Sequence, residues 1–293
     1  MLGRSIRAVL ALCLVFSQVA HAEVGGNWMG GGRNSLLYGY AQPVPASGCF
    51  PGTSVVLDID PSNLSTLFQT IAGTTAVTTD GDVVGTAQDA NGNGFNLTAV
   101  ADTSVRPVYN TSGGLHWLTF DGTDVLKRGA YLGLWGTAHT IAIALRHNAA
   151  AQGSVLSEKN VADAEVEYRP LRNHASDFND IQAWKRIDSG TYLLNNVAIG
   201  DEGFPTTTDV SIIITDTGTL ITAYQDGSNI GNSGAYTAAS GTAPDVFSIG
   251  GTYRTSASDF FAGRIYRLRI WSRVLDAGEI ATTDTCLKAT QGR

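Results

Sequence analysis

Phe261-Ala-Gly-Arg-Ile-Tyr-Arg-Leu-Arg-Ile-Trp-Ser-Arg-Val-Leu275 is the stretch whose alternation decides the fold. Within it, Tyr266, Leu268 and Ile270 fall on one side of an extended chain, and Arg267, Arg269 and Trp271 on the other. An apolar face backed by a more polar one marks a half-solvated antiparallel strand. Directly after it, Asp276 and Glu279 have the spacing of a capping box, so a helix is predicted from about Asp276 to Ala289.

Upstream, the same kind of pattern recurs. Thr53–Ile59, Leu115–Phe120, His139–Leu145, Asp209–Thr215, Leu220–Gln225 and Val246–Gly250 are short apolar runs separated by Gly, Asn, Asp and Ser. Ile141, Ile143 and Leu145 share one face of their strand, and Val210, Ile212 and Ile214 share one of theirs. No alternation of strands with helices appears, which argues against a parallel sheet. The reading is an all-β sandwich.

Composition narrows the function classes. The 293 residues include 34 glycines and 25 aromatics, and only 15% are charged, against about 25% in an average soluble domain. The formal charge is −7, with four lysines against fifteen arginines. A nucleic-acid binder needs a basic stripe, and none is present. A disordered chain would be poorer in aromatics.

The ends of the chain differ from its middle. Arg4 and Arg7 precede an apolar run of about a dozen residues, followed by Ala20 and Ala22 at the small-residue positions of a cleavage site. That is the pattern of a secretory signal peptide over residues 1–22, too short to span a bilayer, which takes about 20 residues. The alternative is an uncleaved anchor or a buried helix. No later stretch is apolar enough for a transmembrane segment. Residues 23–52 read as a Gly/Pro-rich leader, and 53–293 as the sandwich domain. Losing the first 22 residues removes Cys13 and leaves Cys49 and Cys286, an even pair in an exported chain. A disulfide between them is predicted, two buried thiols being the alternative. Secretion also removes Arg4 and Arg7 and takes the charge to −9.

Several segments in order resemble a known family. Asp89-Ala-Asn-Gly-Asn-Gly-Phe95, Leu118-Thr-Phe-Asp-Gly-Thr-Asp-Val-Leu126, Ala223-Tyr-Gln-Asp-Gly227 and Ser248-Ile-Gly-Gly251, followed by the opening stretch and Glu279-Ile280, resemble laminin-G-like domains. These belong to the concanavalin A-like lectin/glucanase superfamily. The segment ahead of Asp89 is similar to such domains in bacteriophage and prophage structural proteins. The resemblance implies a jelly-roll β-sandwich of two antiparallel sheets with a short C-terminal helix. Asp121-Gly122 and Asp226-Gly227 supply the turn chemistry such a fold needs.

Fold alone does not name a function, so the site candidates are read separately. Asp163, Glu165 and Glu167 alternate, and on a strand would project from one face about 6–7 Å apart. Glycoside hydrolysis needs paired carboxylates at about that separation. The superfamily's glucanases carry E-x-D-x-(x)-E, from which D-x-E-x-E departs at the first two acids. The alternative is a solvated strand face. Trp184, near Tyr168, Arg172 and His174, is a candidate sugar-stacking platform, the alternative being a core tryptophan. Asp89, Asn91 and Asn93 open like a calcium-binding EF-hand loop, but position twelve is Val100, so that motif fails. A calcium site of another geometry and a plain turn remain the two readings.

These observations point to an exported, non-catalytic module that binds carbohydrate or a surface glycan, on a cell surface or in a phage virion. The alternatives are a structural virion protein docking other virion or cell-surface proteins, and a glycan-cleaving enzyme using Glu165, Glu167 and Asp163.

Overall fold

Alternating apolar patterns need a second layer to bury them, and here two antiparallel sheets supply each other's. The computed structural model describes residues 48–101, 105–148, 153–173, 180–188, 191–200 and 204–293. The expected signal peptide, residues 1–22, and residues 23–47 of the expected leader lie outside them. The first strands are β1 (Val55–Ile59), β2 (Leu67–Phe68), β3 (Thr86–Ala87), β4 (Leu97–Ala99), β5 (Val108–Ser112), β6 (Leu115–Asp121) and β7 (Leu126–Arg128). Longer strands follow: β8 (His139–His147), β9 (Ser154–Lys159), β10 (Glu167–Asn173), β11 (Ile181–Arg186), β12 (Tyr192–Gly200) and β13 (Asp209–Asp216). The chain continues through β14 (Ile221–Gln225), β15 (Ser228–Asn232), β16 (Val246–Ile249), β17 (Thr252–Tyr253), β18 (Ala257–Ser258) and β19 (Ala262–Trp271) to helix α1 (Ala277–Thr290).

One sheet runs β15-β14-β13-β8-β19-β6-β5, with β1 also on β19; the other runs β12-β11-β10-β9-β16-β7-β4-β3-β2. β17 and β18 form a separate two-stranded ribbon. The inner faces meet in one apolar core that includes Leu118, Ile141, Ile143, Leu145 and Ile212, together with Ile265, Leu268 and Ile270 of β19. The fold class expected from the sequence is the one observed, an all-β sandwich with a C-terminal helix.

The opening stretch departs from simple alternation. The register of β19 against β8 shifts between Ile265 and Arg267, a β-bulge at Tyr266. Leu268 and Ile270 face the inter-sheet core, but the extra residue turns Tyr266 to the other face, beside Trp271. That face is not half-solvated either. Ile280, Cys286 and Leu287 of α1 cover it, burying Trp271 completely, and the Trp271 indole N–H donates to the Pro51 carbonyl at 2.9 Å. The helix starts as its sequence requires: the Glu279 N–H donates to Asp276 Oδ1 at 2.9 Å and the Asp276 N–H to Glu279 Oε2 at 3.1 Å.

Cys49 and Cys286 are joined, with Cα atoms 5.9 Å apart across a sequence separation of 237 residues, tying the segment before β1 to α1. A loop of that length implies a stabilisation of about 5–6 kcal/mol by the chain-entropy argument. Cys286→Ser should lower the denaturant midpoint accordingly, and reductant should then have no further effect on the variant. A second expectation concerns Gly250, whose φ is +81° and whose added Cβ would strike the Phe120 ring and lie 2.8 Å from the Asp124 carbonyl oxygen. Gly250→Ala should cost at least about 1–3 kcal/mol in urea unfolding, through backbone strain and overpacking.

Candidate functional site

The candidate residues gather on the outer face of β10–β12. Along β11, Ile181 and Ala183 enter the core while Trp184 is half-buried on the opposite face. Arg169 of β10 is the cross-strand partner of Trp184. Strict alternation would put Leu171 beside Arg169, but the β10–β11 register shifts between Arg169 and Arg172, so Leu171 turns inward. The two guanidiniums consequently lie 5.7 and 5.5 Å from the Trp184 ring centre. Tyr192 of β12 meets Trp184 edge-on at 5.3 Å, and the Arg186 guanidinium lies 4.8 Å from the Tyr192 ring centre. The result is an aromatic pair in cation–π contact with three arginines, of which Arg169 and Arg172 are themselves buried and Arg186 is partly exposed.

The three acids do not share a strand face. Asp163 and Glu165 fall in the turn between β9 and β10, because Asn160 Oδ1 accepts the Ala162 and Asp163 N–H groups and Asp163 Oδ1 accepts that of Glu165. Only Glu167 is on a strand. It is ion-paired to Lys159 at 2.8 Å and to Arg169 at 2.9 Å, while Glu165 pairs with Arg186. Both glutamates are thus committed to cations on different elements. Glycoside hydrolysis instead requires a facing pair, one of them free to hold and deliver a proton.

Of the four residues expected to bind ligand, Trp184 and Arg172 are together on this face. Tyr168 is fully buried on the inward side of β10. His174 lies outside the described residues. Arg169, Arg186 and Tyr192, which complete the arrangement, were not anticipated; the alternating Trp184 and Arg186 of β11 were the signal available.

Asp89 belongs to a turn. Its Oδ1 accepts the Asp58 and Asn91 N–H groups and its Oδ2 that of Asn93, while the Asn93 side-chain amide donates to the Val55 carbonyl at 2.8 Å. Asp89, Asn91 and Asn93 therefore do not fit a calcium ion: the carboxylate oxygens already serve backbone donors, and the Asn93 amide is turned to donate.

A second polar group lies inside the sandwich. Glu158, Tyr168 and Lys185 are cross-strand neighbours on β9, β10 and β11, and Asp216 and His139 are cross-strand neighbours on β13 and β8 of the facing sheet. All five are fully buried. Asp216 Oδ2 accepts from Lys185 Nζ at 3.2 Å and from the Tyr168 hydroxyl at 3.0 Å. Asp216 Oδ1 accepts from the Gly218 N–H at 2.7 Å and the Tyr236 hydroxyl at 2.5 Å. His139 Nε2 lies 3.1 Å from the Tyr168 hydroxyl. Burial pushes the His139 imidazole down to about 4, leaving it neutral, and lowers the Lys185 ammonium, an effect Asp216 opposes.

Burial likewise raises Glu158 to about 7, against the Leu132 and Leu134 N–H groups that its Oε1 accepts. A carboxyl whose folded value lies above its unfolded one costs nothing below about pH 4.3. Its penalty grows as pH rises toward 7 and is constant beyond, roughly 3 kcal/mol in all. Glu158→Gln keeps an acceptor for those amides. The stability of this variant relative to the parent should therefore increase between about pH 4.5 and 7, as read from urea unfolding across that range.

No curated protein matches this chain in sequence. Among solved structures, domain 4 of AbnA, a GH43 extracellular arabinanase from Geobacillus stearothermophilus, in complex with arabinotriose, aligns with a TM-score of 0.52 at 13% identity. The match covers 79% of this chain and 98% of that one. A Trypanosoma rangeli sialidase aligns with a TM-score of 0.50 at 13% identity, over 80% of this chain and only 33% of the sialidase. At such identities the likeness is one of fold. Residues 138–281, which span β8 to the first turn of α1 and so take in both the outer face and the interior cluster, match the family model of the concanavalin A-like lectin/glucanases superfamily.

Proposed function

We propose that the protein is an exported, non-catalytic carbohydrate-binding or adhesive module that takes its glycan on the Trp184–Tyr192 face. The observation that carries this reading is the aromatic pair with its rim of Arg169, Arg172 and Arg186. Flat apolar sugar faces stack on rings while a partly exposed guanidinium such as that of Arg186 meets hydroxyl or carboxylate oxygens, the division of labour usual in ligand sites, and the buried Arg169 and Arg172 hold the Trp184 ring in place. The ion pairing of Glu165 and Glu167 supports binding over cleavage. Export is supported by the pattern of residues 1–22 and by the Cys49–Cys286 bridge, since disulfides persist in oxidising compartments. A cell surface or a phage virion is the setting this reading favours.

Purified protein applied to a glycan array and to insoluble polysaccharides should bind at least one class, and Trp184→Ala should weaken that binding about tenfold, roughly 1.4 kcal/mol. Absence of binding to every glycan, with and without calcium, would favour protein docking instead. Sugar release that is lost in Glu165→Gln and Glu167→Gln would show an enzyme.

A further inference from the structure

Lys185 and Asp216 belong to opposite sheets and meet in the core with no solvent exposure of either side chain. Burying two charges is expensive, and a well-packed apolar pair would serve stability equally well. The surroundings are those of a reaction site. Lys185 Nζ lies 4.2 Å from the Tyr168 ring centre and 4.9 Å from that of Tyr236, in a fully buried box whose ring faces hold the ammonium while burial works toward the neutral amine. The two carboxyl oxygens of Asp216 are differently held. Oδ1 has the Gly218 N–H and the Tyr236 hydroxyl as donors, the arrangement of an oxyanion hole. Oδ2 faces the amine and the Tyr168 hydroxyl, which is itself within reach of His139 Nε2.

We propose that Lys185 and Asp216 condense without a cofactor into an intramolecular amide that joins the two sheets covalently. One proton first passes along the Nζ–Oδ2 hydrogen bond, converting ammonium and carboxylate into amine and acid. The Nζ lone pair then attacks Cγ, and the charge that develops on Oδ1 is held by Gly218 and Tyr236. A second proton moves from Nζ to the Oδ2 hydroxyl, an oxygen oriented by the Tyr168 hydroxyl. The Cγ–Oδ2 bond breaks, one water leaves, the Oδ1 carbonyl re-forms, and Nζ keeps a single proton. Atoms and charge balance with no oxidant, metal or nucleotide. The product is a neutral amide, so the buried charges disappear.

Mass spectrometry of the purified full chain, reduced, alkylated and digested with trypsin in denaturant, tests this directly. The expected result is a branched peptide linking Lys185 to Asp216, lighter than its two components by one water, with no cleavage after Lys185. Lys185→Met should abolish that species. Unlinked peptides of full mass from the parent protein, with Lys185 open to an amine-reactive reagent in denaturant, would overturn the proposal. This readout does not depend on how well the variant folds.

Discussion

The pairing of β19 with β8 is the constraint on which the rest of the sandwich depends. β19 is hydrogen-bonded to β8 along one edge, and to β6 and then β1 along the other, so the strand nearest the C-terminus holds the first strand of the domain in place. Its two faces do different work. Ile265, Leu268 and Ile270 pack into the inter-sheet core, and Tyr266 and Trp271 receive the helix. Only a bulge at Tyr266 lets one strand serve both, because strict period two would place Tyr266 in the core with Leu268. The Cys49–Cys286 bridge then locks the same arrangement from outside.

The second sheet carries most of the candidate site residues. β9, β10 and β11 present arginines and aromatics outward and Glu158, Tyr168 and Lys185 inward. An inner face with two ionisable groups and a phenol is a poor way to stabilise a sandwich, because each must be desolvated. It is tolerable here because Asp216 of the facing sheet collects four donors: two hydroxyls, one backbone amide and one ammonium. The outward face is polar for the complementary reason. Arg169 is shared between Glu167 and Asp259 while its guanidinium also lies near Trp184, so position and charge are set together.

Legibility followed the contrast between apolar and polar positions. β8, β13 and β19 alternate or run apolar, and their places were readable, as was α1 with its Asp276–Glu279 cap. β9 through β12 were not among the runs legible as strands. Ser-Val-Leu-Ser-Glu-Lys and Glu-Tyr-Arg-Pro-Leu-Arg-Asn bury nearly every residue, charged ones included, so no polar stripe marks an outer face. The acidic triplet misled for a local reason: Asn160 captures two backbone N–H groups and turns the chain before Asp163 can enter a strand.

By itself the sequence determined what depends on near neighbours: strand periodicity, turn glycines and the helix cap. These follow from backbone geometry and short-range hydrogen bonding, which a window of a few residues contains. The tertiary structure alone decided which charges meet. Lys185 and Asp216 are 31 positions apart in the chain and lie on different sheets, and Arg169, Trp184 and Tyr192 come together only through strand register and a bulge. Register is a property of paired strands, and a single strand read alone does not contain it.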